Sequence, residues 1–203
     1  MRKLFYGVLL IALAALPASA RGTKESPAAQ SANRQAPPAD PLSTFVKAQF
    51  KNNSNYLIKS AQDMPEDKYS SKLGTQPETR TFAQLIGHVI NANYFFCAQA
   101  KGEASPNKTD FEHTAQSKAQ LAAAMQAAID YCSSAYGSLT DTTGMEMVTS
   151  AGGGSGHPQP RIVPLIRNVI HNNEEYGNLV GYFRNANLVP PSTAASRQGG
   201  RGR

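Results

Sequence analysis

The chain has no tryptophan and only two cysteines, Cys97 and Cys132. That excludes a small scaffold held together mainly by disulfides. Charged residues are 17 % of the total, against roughly 25 % in an ordinary domain. With 40 % hydrophobic residues over 203 positions, a wholly disordered chain is excluded and one packed domain with tails is expected. No strand-period run occurs, and no repeat of about 20–50 residues. Gly-x-Ser-x-Gly, a Walker loop, a dinucleotide glycine motif and Cys-x-x-Cys are all missing, which argues against the enzyme classes built on them. Gly152–Gly156 is a glycine-rich run without a following Lys-Ser/Thr, so it reads as a flexible linker.

The formal net charge is +6, but its location removes the obvious inference. Residues 42–190 hold twelve Lys/Arg and twelve Asp/Glu. The excess sits at the ends, among Arg2, Lys3 and Arg34 and then Arg197, Arg201 and Arg203. A neutral body makes a poor phosphate-tracking surface, so no nucleic-acid partner is expected.

The first twenty residues read as an address. Arg2 and Lys3 form a basic start, Leu4 to Leu16 an apolar run, and Ala18-Ser19-Ala20 a small-x-small cleavage site. This is the pattern of a cleavable signal peptide over residues 1–20, with a mature chain starting near Arg21 and a periplasmic or secreted destination. The run is short for a membrane span, which needs about 20 apolar residues, so no stable membrane anchor is expected. No cysteine follows the cleavage site, which argues against a lipoprotein. In an oxidising compartment Cys97 and Cys132 are expected to pair; the alternative is two buried thiols acting as small hydrophobes.

Residues 21–40, rich in Ala, Pro, Ser and Gln, read as a flexible leader, and 193–203 as a disordered Arg/Gly tail. Between them the periodicity predicts four helices. The first opens at Asp40-Pro41, a capping residue followed by a proline suited to the first helical position. It continues through Leu42, Phe45, Val46, Phe50, Leu57, Ala61 and Met64 and stops at Pro65. The second opens with the capping box Thr81-Phe82-Ala83-Gln84 and presents Phe82, Leu85, Ile86, Val89, Asn93, Phe96, Cys97 and Ala100. The third opens with Ser117-Lys118-Ala119-Gln120 and presents Leu121, Met125, Ala128, Ile129, Cys132, Tyr136 and Leu139. The fourth spans about 161–187, with an apolar arc of Ile162, Val163, Leu165, Ile166, Val169, Ile170, Tyr176, Val180 and Phe183. The simplest fold is an all-α four-helix bundle over residues 41–192. The connections 64–80, 101–116 and 141–160 are long enough to cross the bundle, so loop length alone does not set the topology.

Few residues offer chemistry. Of the four histidines, His113 and His157 lie in polar loops. His88 sits at the edge of the apolar face of its helix, about 100° from the centre, where a histidine is usually structural. His171 and Glu175, four apart, share one face with Arg167, Asn178 and Tyr182. That face lies opposite the apolar arc, so wheel geometry predicts an ordinary exposed polar surface. The functional reading is a metal site: His-x-x-x-Glu presents two donors from one helix, and His88 from another would complete a set suited to Zn, Ni, Mn or Fe.

Two blocks carry a family resemblance. Arg80-Thr-Phe-Ala-Gln-Leu-Ile-Gly-His88 through Cys97, and His171-Asn-Asn-Glu-Glu175 through Arg184 with Leu188-Val-Pro-Pro-Ser192, resemble the second and fourth helices of DinB-like proteins; Met64-Pro65 also fits. The resemblance covers about residues 42–192. It implies a DinB-like bundle whose second and third helices run parallel, joined by a long crossover. In parallel helices Cys97 and Cys132, at similar depths from their helix starts, would lie level and within reach of a bridge. The resemblance also implies a divalent-metal site of one His on helix two and a His-x-x-x-His pair on helix four. His88 and His171 take the first two places, and Glu175 stands where the third histidine is expected. Relatives of this kind include metal-dependent transferases that use low-molecular-weight thiols. Two functions are therefore expected as alternatives: an exported divalent-metal protein, a transferase or hydrolase acting on a small-molecule ligand, or a non-catalytic exported bundle with a degenerate site. A homodimer is compatible with either.

Overall fold

The computed structural model describes residues 39–151 and 156–199. The signal-peptide and leader residues up to 38, the linker core 152–155 and the last four residues lie outside them.

Four long helices form the body: α1 (Pro41–Asp63), α2 (Phe82–Lys101), α3 (Lys118–Gly137) and α5 (Ile162–Asn185). A 3-10 turn (Glu66–Lys68), the short α4 (Asp141–Gly144), the two-residue strands β1 (Met147–Val148) and β2 (Gln159–Pro160), and a terminal helix α6 (Pro191–Gly199) complete the elements of the described residues. The strands pair antiparallel, Met147 opposite Pro160, so the long connection 141–160 carries a short ribbon on either side of the glycine-rich run. Among the described residues no helix is long and apolar enough to cross a membrane.

The helix starts follow their local chemistry. Both capping boxes form: Gln84 N donates to Thr81 Oγ1 at 3.1 Å while Thr81 N donates to Gln84 Oε1 at 2.8 Å, and Ser117 with Gln120 repeats the pattern. At α1 the expected cap is displaced. Asp40 adopts a left-handed conformation with φ 58° and makes no cap to its own helix. The carboxylate of Asp141 instead accepts from Leu42 N and Ser43 N at 3.2 and 2.7 Å, and Asp40 Oδ1 accepts from Asp141 N at 2.8 Å. The helix end is thus tied to the α4 segment.

α2 packs on α3 and α5, and α1 packs on the same two. Phe82, Ile86, Ile90, Leu57, Leu121, Met125, Leu165 and Phe183 are fully buried between them. α2 and α3 run parallel: their N-caps Thr81 and Ser117 line one cavity, while Cys97 and Cys132 are joined in a disulfide further along. α5 is antiparallel to α2, because Tyr182 donates to the Arg80 carbonyl at one end and Arg161 to the Ala100 carbonyl at the other. This is the bundle and the cysteine pairing that the resemblance implies.

Three expectations need correction. Leu42 and Phe45 of α1, and Ile170 of α5, are 46, 61 and 60 % exposed rather than part of the core. At the start of α1 only the narrow stripe Ser43, Val46 and Phe50, spaced by three and four, meets a neighbour, so the flanking apolar residues stay exposed. On α5 the buried face includes Asn168, Asn172, Glu175 and Tyr182. Residues 193–199, read as tail, continue α6; Ser192 N donates to Tyr176 Oη at 2.7 Å and anchors its start.

A buried polar network crosses the centre. Asn93 and Asn172 exchange amide hydrogen bonds at 3.0 and 3.1 Å, and Asn168 Nδ2 donates to Asn93 Oδ1 at 3.0 Å. Asn93 Nδ2 also donates to the Val89 carbonyl at 2.8 Å. Each amide is satisfied, which is what permits it to be buried.

Candidate metal centre

One turn from that network, α2 and α5 bring His88, His171 and Glu175 together. His88 Nε2 lies 3.0 Å from His171 Nε2, and each lies 3.7 Å from Glu175 Oε1. The wheel prediction of an exposed face fails for the residues that matter: Glu175 is 7 % exposed and His171 is half-buried. Arg167 and Asn178, on the same nominal face, remain exposed. The face turns inward because α2 covers it at this level.

Two residues that sequence reasoning missed complete the arrangement. Glu112, in the crossover between α2 and α3, accepts from His88 Nδ1 at 2.7 Å and from Arg80 Nε at 2.7 Å. Burial raises the Glu112 pKa, but hydrogen bonds from Arg80 and His88 and their charges outweigh it, holding the carboxyl below its ordinary value. An ionised Glu112 requires the proton of His88 to sit on Nδ1. Nε2 then presents a lone pair to the cluster. Gly87 makes this approach feasible. A Cβ built there would fall 2.7 Å from the Glu112 amide nitrogen, and closer still to the Phe111 carbonyl. A glycine in mid-helix costs about 1 kcal/mol relative to alanine, and one directly before a histidine is the sequence signal that could have pointed to the loop. On the other side, Asn178 Nδ2 donates to Glu175 Oε2 at 3.0 Å, leaving Oε1 turned to the histidines.

The donor set fits a divalent ion. A point equidistant from three atoms at these separations lies about 2.0 Å from each, against zinc–imidazole and zinc–carboxylate bonds of about 2.0–2.2 Å. His171 Nδ1 is buried without a hydrogen-bond partner among the described residues. If its Nε2 donated a proton to His88, Nδ1 would be an unsatisfied buried acceptor. If the proton sat on Nδ1, two Nε2 lone pairs would face each other. Both arrangements are costly for a metal-free cluster; a metal would relieve the facing lone pairs of the second, leaving Nδ1–H as the remaining cost. Burial and then the nearby His88 lower the His171 pKa, with Glu175 and Glu174 opposing, so the imidazole is held neutral as a ligand must be.

Residues 49–172 match the DinB superfamily. The chain belongs to the DinB superfamily. The matched segment includes His88, Glu112 and His171 but ends before Glu175. Among solved structures, this DinB-superfamily fold is similar to a DinB-like protein from Bacillus cereus ATCC 10987, with TM-score 0.59 and 16 % identity over 72 % of this chain and 93 % of that one. It is also similar to a DinB-like protein from Bacillus subtilis, with TM-score 0.54 and 16 % identity over 71 % and 93 % of the two chains. Likeness at that identity speaks for the fold. No curated protein sequence is significantly similar to the chain.

Proposed function

We propose that this DinB-superfamily protein is exported and holds one divalent metal ion by His88 Nε2, His171 Nε2 and Glu175 Oε1, in service of a metal-dependent transferase or hydrolase reaction on a small molecule. The observation that carries this is the convergence of those three atoms to separations of 3.0–3.7 Å. Two imidazoles and a carboxylate suit Zn, Ni, Mn or Fe and leave positions for a ligand. A bound ion would supply Lewis acidity and lower the pKa of a coordinated thiol or water. The chain's own residues do the rest. Glu112 fixes the ring and proton of His88, Arg80 holds Glu112, and Asn178 aims Glu175. Export is supported by the signal-peptide pattern and by the Cys97–Cys132 disulfide, a bond that persists in oxidising compartments.

One observation favours the second reading, a bundle without metal. The 3.0 Å His88–His171 separation is also that of an N–H···N hydrogen bond. Elemental analysis decides. Protein exported to a bacterial periplasm and purified without chelator should carry about one metal per chain, and His171→Ala should lose it. Wild-type protein free of metal after growth in replete medium leaves the second reading.

A further inference from the structure

Beside the donor cluster opens a cavity of about 300 Å³, walled by His88, Asn91, Ala92, Phe95, Phe96 and His171. The two imidazoles belong to the wall, so a molecule in the cavity lies against the two histidines of the donor cluster. The remaining wall offers carbon. The Phe96 ring lies 5.8 Å from the His171 ring, centroid to centroid, and Phe95 is 39 % exposed, an aromatic held partly in water next to a polar cluster. The other polar wall residue is already committed. Asn91 Oδ1 accepts from Asn107 Nδ2 and Phe111 N, both at 3.2 Å, and its Nδ2 donates to Asp110 at 2.9 Å. Among the described residues no lysine, arginine or hydroxyl side chain belongs to the wall, and Arg80 is engaged by Glu112.

We infer that this cavity selects a ligand with one metal-binding donor atom on an uncharged apolar body, aromatic or branched, and discriminates against the same donor on a charged body. The inference rests on the metal reading above and narrows its substrate class. An apolar body covers Phe95 and Phe96 and removes their surface from water. A charged body that settles against Phe95 and Phe96 loses hydration there and finds no Lys, Arg, Asp or Glu side chain among the described residues of the wall to offset it. Small charged thiols and amino-acid derivatives are therefore poor occupants, however good their donor atom.

The test keeps the donor constant and varies the body. The exported protein is loaded with Co(II), and its visible absorption is followed during titration with 1-methylimidazole, 1-benzylimidazole and 1-(carboxymethyl)imidazole. The benzyl compound should bind at least tenfold tighter than the methyl compound, and the carboxymethyl compound no tighter than the methyl one. Phe95→Asp, on a partly exposed residue that donates nothing to the metal, should keep the Co(II) spectrum and lose the benzyl preference. Equal binding of benzyl and methyl compounds, a preference that survives Phe95→Asp, or tighter binding of the carboxymethyl compound overturns the inference while the metal site stands. A wild-type protein that gives no Co(II) spectrum overturns the metal reading, and this inference with it.

Discussion

Replacing Gly87 by alanine separates the site from the scaffold more sharply than removal of a ligand does. The added Cβ would sit 2.7 Å from the Glu112 amide nitrogen and nearer to the Phe111 carbonyl, where non-bonded atoms prefer about 3.5–4.0 Å. The crossover must therefore retreat by about 1 Å. The Glu112–His88 hydrogen bond, 2.7 Å long, would stretch past about 3.6 Å, where it no longer counts as one. Overpacking of this kind costs about 1–3 kcal/mol, and the better helix propensity of alanine returns about 1 kcal/mol. Net stability should thus fall by at most about 2 kcal/mol. The loss of the carboxylate partner of a metal-ligating histidine should cost about 10–100-fold in metal affinity. Metal affinity, not stability, is the sensitive readout. Urea unfolding of the metal-free protein measures the first quantity, and competition for Zn(II) with a chromophoric chelator the second. Because Gly87 acts through Glu112, the double variant Gly87→Ala/Glu112→Ala should bind no more weakly than Glu112→Ala alone. Wild-type affinity in Gly87→Ala, or additive losses in the double variant, would refute the reasoning.

Two further outcomes test other parts of the structure. The Cys97–Cys132 bond closes a loop with a sequence separation of 35, so its reduction should lower unfolding free energy by about 3–4 kcal/mol; reduced and oxidised protein unfolding at the same urea concentration would contradict this. Burial, then His88, lowers the His171 pKa in the folded state, so the unfolded chain binds that proton more readily. Stability of the metal-free protein should be fully present above about pH 6.5 and fall by up to about 1.4 kcal/mol per pH unit as the pH drops below it, before the carboxylates titrate. His171→Gln should flatten that slope between pH 6.5 and about 5; an unchanged slope would place the proton uptake elsewhere.

Much of the bundle was legible because its signals are local. Thr81/Gln84 and Ser117/Gln120 announce helix starts within four residues, and the apolar spacing of α2 and α3 maps onto the buried positions. What escaped depends on contacts between distant segments. Asp141 caps α1 from nearly a hundred residues away, so its role has no neighbouring signature. Glu112 stands in a crossover without periodicity and acquires its function from Gly87 and Arg80. On α5 a helical wheel equates polar with exposed. It therefore misassigns Glu175 and Tyr182, which are buried because their polar atoms are bonded to Asn178 and the Arg80 carbonyl or face the histidines. The resemblance to DinB-like proteins pointed to the two helices and three side chains that the structure brings together, and wheel geometry alone would have discarded them.

The misread face of α5 also shows why the site and the core network belong together. Asn93 follows His88 by five positions on α2, and Asn172 directly follows His171 on α5. The reciprocal amide pair of Asn93 and Asn172 is satisfied in one register of the two antiparallel helices. A slip of one turn, about 5.4 Å, would leave those amides and Asn168 without partners in the core, at about 1–3 kcal/mol for each group. The same slip would carry His88 away from His171. Apolar contacts tolerate such slips far better, since one leucine can replace another against a neighbouring helix. Buried amides discriminate between registers because their bonds are directional. The register that satisfies Asn93 is thus the one that sets His88 Nε2 3.0 Å from His171 Nε2. The network fixes how α2 and α5 meet, and the disulfide ties α2 to α3 near the end of α2 from which the crossover leaves. Glu112, carried on that crossover, is kept against His88 by its own bonds to His88 Nδ1 and Arg80 Nε, both 2.7 Å.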